Sequence, residues 1–166
     1  MPEAVNDRER VLQALDDAVI DAADYLAEIN PDLHGGHQTA REVLSHLVYW
    51  HREYVTITRA LLDKRRPPLK KGTFAELNAT ATKEFAGETM AGSAYTLLLL
   101  QQTLMTQLRS LPDWSANFPV KHDVRHKCVT ERVSGIESHF RGHIRRLRRA
   151  EHLGDAWVKA YYPDQE

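Results

Sequence analysis

Apolar residues recur along most of this chain in steps of three and four, the spacing of a helix with one buried face. Val11, Leu15, Ala18, Val19, Ala22, Leu26 and Ile29 form the first such stripe. Asn30-Pro31 ends it, which predicts a helix over residues 8–29. Val43, Leu47, Trp50, Tyr54, Ile57 and Leu61 form a second stripe that runs up to a basic Pro67-Pro68 break. A third long helix is expected from about Thr89 to Ser110, carrying Met90, Ala94, Leu97, Leu98, Leu104, Met105 and Leu108, and its composition makes it the most buried. The fourth carries Val129, Val133, Ile136, Phe140, Ile144 and Leu147 and ends near Gly154. Its start is open between Asp123 and Thr130, because no Pro or Gly separates Val120 from Ser134.

Start signals support these stripes. Asn6 with Glu9, Thr39 with Glu42 and Thr73 with Glu76 each have capping-box spacing, in which side chain and backbone satisfy one another's first-turn donors. The third pair predicts a short helix over Thr73–Phe85, ended by Gly87. Trp114 and Phe118, bracketed by Pro112 and Pro119, are expected to plug one end of the structure. There is no alternating strand series and no repeat. The pattern as a whole predicts an all-α four-helix bundle with a long crossover that carries a short extra helix, in one domain spanning 1–166.

Composition narrows the class without changing the fold. With 166 residues, 42% of them apolar, the chain can bury a real core without a staple. Its single cysteine, Cys128, excludes an intrachain disulfide, and no basic-then-apolar leader opens the sequence, so the cytoplasm is the expected location. The longest apolar run, near Tyr95–Leu100, is too short to span a bilayer, so no membrane is expected among its partners. Charge is uneven. Residues 1–32 hold nine Asp and Glu against Arg8 and Arg10, leaving the remainder basic in a chain whose net charge is −1. The cluster Lys64–Lys71 reads as a solvated linker, and the five arginines between Arg141 and Arg149 read as a complement to the negative end of a helix. Without interleaved aromatics or an overall basic charge, these clusters do not make a nucleic-acid surface.

Histidine supplies the candidate chemistry. His139 and His143 are four residues apart, so they project from one side of the fourth helix, one turn from each other, and can grip one ion. His46 stands at the edge of the second stripe, about 60° from Val43 on a wheel at 100° per residue. The edges of two amphipathic helices meet at a seam, where side chains can converge while one direction stays open. His51 is about 140° around the helix from His46, too far to share its ion. His122 and His126, with Cys128 nearby, repeat the four-residue spacing and read as loop surface. Gln101, the polar break in the third stripe, reads as a bond to a neighbouring helix.

Two segments carry a family resemblance: Thr39-Ala-Arg-Glu-Val-Leu-Ser-His46-Leu-Val-Tyr-Trp50 and, about ninety residues on, His139-Phe-Arg-Gly-His143-Ile-Arg-Arg-Leu. Their order and spacing resemble the DinB-like (YfiT-like) superfamily of helical-bundle metalloenzymes over almost the whole chain. The resemblance implies a four-helix bundle, a metal held by His46, His139 and His143, and a homodimer. Relatives include bacillithiol transferases and the metal-binding domain of mycothiol-dependent maleylpyruvate isomerase. This chain departs in having Arg141 and Gly142 where many relatives have a carboxylate between the paired histidines. Tyr49-Trp50-His51 also resembles self-protection proteins that hydrolyse a cyclopropane warhead.

Three neutral imidazoles favour a divalent Zn or Ni ion and leave its charge to be balanced by an anionic fourth ligand. A water or a low-molecular-weight thiol held there would be acidified, so the site suits hydrolysis or transfer of a thiol to an electrophilic small-molecule substrate. Trp50 is a candidate pocket wall, and Arg141 and Arg145, with Arg148, are candidates for holding carboxylates of substrate or thiol. The competing reading is a non-catalytic dimeric bundle whose metal is structural or vestigial.

Overall fold

A computed structural model describes residues 2–154 and is all-helical, with five helices in chain order: α1 (Pro2–Glu28), α2 (Ala40–Leu62), α3 (Phe74–Glu84), α4 (Met90–Ser110) and α5 (Val129–Leu153). Among the described residues, extended pairing is limited to two isolated bridges, His34 with Thr39 and Asn117 with Cys128. α1 packs against α4 and α5, α2 packs against α4 and α5, and α3 lies against α2. That circuit of neighbours is compatible with a four-helix bundle in which α3 rides on the crossover.

The capping signals explain most of the boundaries. Thr39 accepts from the Glu42 backbone N–H while the Glu42 carboxylate accepts from the Thr39 N–H, and Thr73 and Glu76 repeat the arrangement at α3. Thr89 caps α4 by accepting from the Gly92 N–H. α5 begins at Val129, inside the window left open by the sequence, with the Glu131 carboxylate accepting from the Cys128 N–H. α1 differs from expectation. It starts at Pro2, so Asn6 and Glu9 lie within the helix and not at its cap. Proline suits a first helical position, since its fixed φ matches the helix and its missing N–H would have no partner there. At the other end Asn30 Oδ1 accepts from the Asp32 N–H, turning the chain where the helix stops.

The core is continuous. Leu15, Val19 and Leu26 of α1, Leu47 and Ile57 of α2, Leu97 and Leu104 of α4, and Val133, Phe140 and Leu147 of α5 are all essentially inaccessible. Trp114 and Phe118 are buried as the expected plug, and Trp114 Nε1 donates to the Leu108 carbonyl at 3.2 Å. The ranking of burial is corrected: α2, not α4, is the most enclosed helix. α2 has α3, α4 and α5 around it and buries Ser45, His46, His51, Glu53 and Thr58 along with its apolar stripe, whereas α4 has α1 and α2 as neighbours and leaves Tyr95 and Leu99 exposed. No helix among the described residues is long and apolar enough to cross a membrane.

Candidate metal centre

His46 on α2 and His139 and His143 on α5 converge at the seam between those helices. Nε2 of His139 lies 3.2 Å from Nε2 of His46 and 2.9 Å from Nε2 of His143, and one nitrogen from each ring lies within 4.8 Å of the others. The His46 ring stacks on that of His139 and meets that of His143 edge-on. Two nitrogens on one tetrahedral zinc, at bond lengths near 2.0–2.1 Å, would stand about 3.3 Å apart. Those two spacings fall just below that edge and the third is within 4.8 Å, so small movements of the rings would let the donor set hold a divalent ion.

Burial also puts the rings in the right protonation state. Desolvation lowers all three imidazoles, His46 and His143 to well below the usual histidine range. Neighbouring imidazoles lower His46 and His143 further, and the Arg146 guanidinium lowers all three. Each ring is therefore neutral at pH 7, the form in which a nitrogen can ligate.

The outer nitrogens have two different neighbours. The Gln38 amide nitrogen is 3.3 Å from His46 Nδ1. An amide carries both a donor and an acceptor, so after a half-turn it accepts the Nδ1–H that ligation through Nε2 requires. Gln38 is delivered by the 30–39 loop, in which Gly36 adopts φ 101° and the Gly35 N–H donates to the Gln38 carbonyl at 3.0 Å. Gly35 lets that loop sit on α5, because a Cβ there would fall 2.7 Å from Leu147 Cδ2. Arg146 behaves in the opposite way. Its Nη2 approaches His143 Nδ1 at 3.2 Å, and a guanidinium can only donate. Neither Gln38 nor Arg146 was singled out in the sequence. A loop glutamine has no periodic signature, but Arg146 lies one turn beyond His143 and was discoverable from spacing.

His46 and His139 open onto a cavity of about 310 Å³ between α2, α3, α5 and the 112–128 loop. Trp50, Tyr54, Phe74 and Ile136 give it apolar walls; Asn78, Lys127, Glu131 and Arg132 are its polar groups. Trp50 is thus both core and wall, its Nε1 donating to Asn78 Oδ1 at 2.8 Å. Arg141 and Arg145 are placed elsewhere. Arg141 pairs with Glu137 and donates to the Ala14 carbonyl on α1, Arg145 is exposed, and neither lines this cavity. Arg148 pairs with Asp21. His122, His126 and Cys128 do not join a converging set of three donors among the described residues.

His51 points away from the triad, as its helical angle requires. It is fully buried, and its Nε2–H donates to Gln101 Oε1 at 2.7 Å, while Gln101 Nε2 donates to Asp16 Oδ1 at 3.0 Å. The carboxylate of Asp16 fixes the orientation of the amide, and the amide fixes the tautomer of the imidazole. Gln101 thus ties α4 to both α2 and α1, as its place in the stripe suggested. No family model, curated protein or solved structure matches this chain.

Proposed function

We propose that this protein is a metal-dependent enzyme acting on a small molecule, built on a DinB-like four-helix bundle, and that His46, His139 and His143 hold a Zn or Ni ion. The observation that carries this reading is the convergence of three imidazole nitrogens, two of whose rings line a cavity large enough for a small ligand. A divalent ion there would supply Lewis acidity, sufficient to activate a water for hydrolysis or a low-molecular-weight thiol for transfer to an electrophile. The chain's own contribution is to keep the three rings neutral by burial, to orient His46 through Gln38, and to hold a substrate's apolar body against the paired rings of Trp50 and Phe74. A purely structural ion has less support, since His46 and His139 also line the cavity.

Elemental analysis of purified protein, followed by a screen of thiols and water against model electrophiles, tests the reading. One Zn or Ni per chain is expected, with turnover lost on chelation and restored by added metal. Full turnover in metal-free protein would overturn it. We also propose a homodimer formed through α4, where Tyr95 and Leu99 lie exposed one turn apart. Light scattering at micromolar concentration that gave a monomer would reject that assembly.

A further inference from the structure

At the end of the cavity away from the histidines, Arg132 projects from α5 with its charge poorly matched. Its Nε donates to the Phe118 carbonyl at 3.0 Å, but Nη2 is buried without a hydrogen-bond partner. Buried donors are nearly always satisfied, so this guanidinium, on a residue that lines the cavity, has an unmet demand for an acceptor that a small turn of the side chain would present to the space. Lys127 lines the same cavity. Glu131, whose carboxylate accepts from the Cys128 N–H, offsets only part of this charge, since it is the one acid lining the cavity against Lys127 and Arg132. Lys121 adds a cation 5.0 Å from the ring centre of Phe74, one of the cavity's walls.

The cavity's length and its open side are set by α5. Arg132 and His139 are seven residues apart, about 10 Å along a helix axis. Gly135 lies between them and also lines the space. A Cβ built there would meet nothing within 4 Å, so close packing does not call for glycine. Inside a helix, glycine costs about 1 kcal/mol relative to alanine. What its missing side chain provides is room.

We infer that the cavity is a binding site for a small monocarboxylate with a flat apolar body, its carboxylate paired with Arg132, its body against the wall that Trp50 and Phe74 form together, and its far end directed at the histidine triad. This deepens the proposed function by naming a substrate class and rests on that reading only for what happens at the triad.

Calorimetric titration with 4-phenylbutyrate, its neutral analogue 4-phenylbutanol and its phosphonate counterpart tests the inference, on chelated and on Zn-loaded protein. The carboxylate is expected to bind at least about tenfold more tightly than the alcohol in both forms, as befits a charge-assisted hydrogen bond. Arg132→Gln should erase that preference while leaving alcohol binding in place, and Gly135→Leu should weaken both ligands by filling the space. Equal binding of acid and alcohol by the wild type overturns the inference, even if Arg132→Gln fails to fold. Tighter binding of the phosphonate overturns the carboxylate assignment. A carboxylate preference that appears only with Zn and survives in Arg132→Gln would mean the acid ligates the ion, and also overturns it. Preference on chelated protein without any metal-dependent turnover would sustain the site while rejecting the proposed function. Metal-dependent turnover of neutral electrophiles without the preference would do the reverse.

Discussion

Arg146 Nη2 stands 3.2 Å from Nδ1 of His143, and this contact works against metal binding by the same ring. Since the guanidinium can only donate, Nδ1 must offer its lone pair, which leaves the proton of a neutral imidazole on Nε2, the nitrogen facing His139. Ligation through Nε2 needs the other tautomer, with Nδ1–H donating outward. Arg146 must therefore swing aside when an ion binds, and its positive charge opposes the ion as well. Arg146→Met is expected to tighten Zn binding by about tenfold or more, the worth of one charged hydrogen bond. Competition against a fluorescent chelator measures this. Weaker binding would show that Arg146 supports the loaded site, and unchanged binding that it does not oppose the ion.

Gln38 should act with the opposite sign. Its amide can accept from His46 Nδ1 and so hold the ring with Nε2 toward the ion. Gln38→Leu removes that support without touching a ligand. A loss of about 10–100-fold in Zn affinity is expected, the range typical of outer partners of ligating histidines. Wild-type affinity in the variant would mean that the fold alone orients His46.

Loss of the ion should leave the fold standing. The core residues Leu15, Leu47, Leu97, Phe140 and Leu147 are buried independently of the triad, each side chain worth roughly 1.5–3 kcal/mol of transfer free energy. Zn is expected to raise the thermal midpoint by mass action, and a His139→Ala, His143→Ala double variant to show the helical spectrum of the wild type but no such rise. A chelator that abolished the helical signal would contradict this.

The helices were legible in the sequence wherever a stripe and a cap agreed, as at Thr39 and Thr73, whose capping boxes form as spaced. Asn6 misled because the box is a local signal, and Pro2 upstream offers a start that needs no side-chain cap. The three histidines were legible because two lie on one helix at i, i+4 and the third sits at the edge of a clear stripe. Their surroundings were legible only in part. Arg146 could be placed beside His143 from its spacing on the same helix, but the partners of the other arginines depend on how α5 is rotated against α1, a rotation that sends Arg141 to the Ala14 carbonyl and Arg148 to Asp21. Similarly, the hydropathy of α4 overstated its burial, because burial depends on how many neighbours a helix has and not only on its own composition.

The buried His51 should give the protein an acid-sensitive stability that is separable from the metal site. Desolvation holds its imidazole down to about 4, against the partial counter-effect of its bond to Gln101. An exposed histidine titrates near 6.5, so between those values the unfolded chain binds more protons than the folded one. Stability must then rise with pH across that window. The contribution is fully present above about 6.5 and is lost as pH falls towards 4, amounting to roughly 3 kcal/mol. The triad shifts in the same direction, so the wild-type slope contains more than one group. A His51→Phe, Gln101→Leu pair removes both partners of this bond, and comparing it with the unmutated pair in an Asp16→Asn background takes out the carboxylate that loses its Gln101 donor, which isolates the contribution. Urea unfolding of chelated protein between pH 4.5 and 7 should give a shallower pH slope for the substituted pair than for the unmutated pair in that background, by up to about 1.4 kcal/mol per pH unit, the value for one proton. Parallel slopes would mean that the His51 imidazole takes up its proton in the folded state as readily as in the unfolded one, which its complete burial beside Phe140 and Tyr54 argues against.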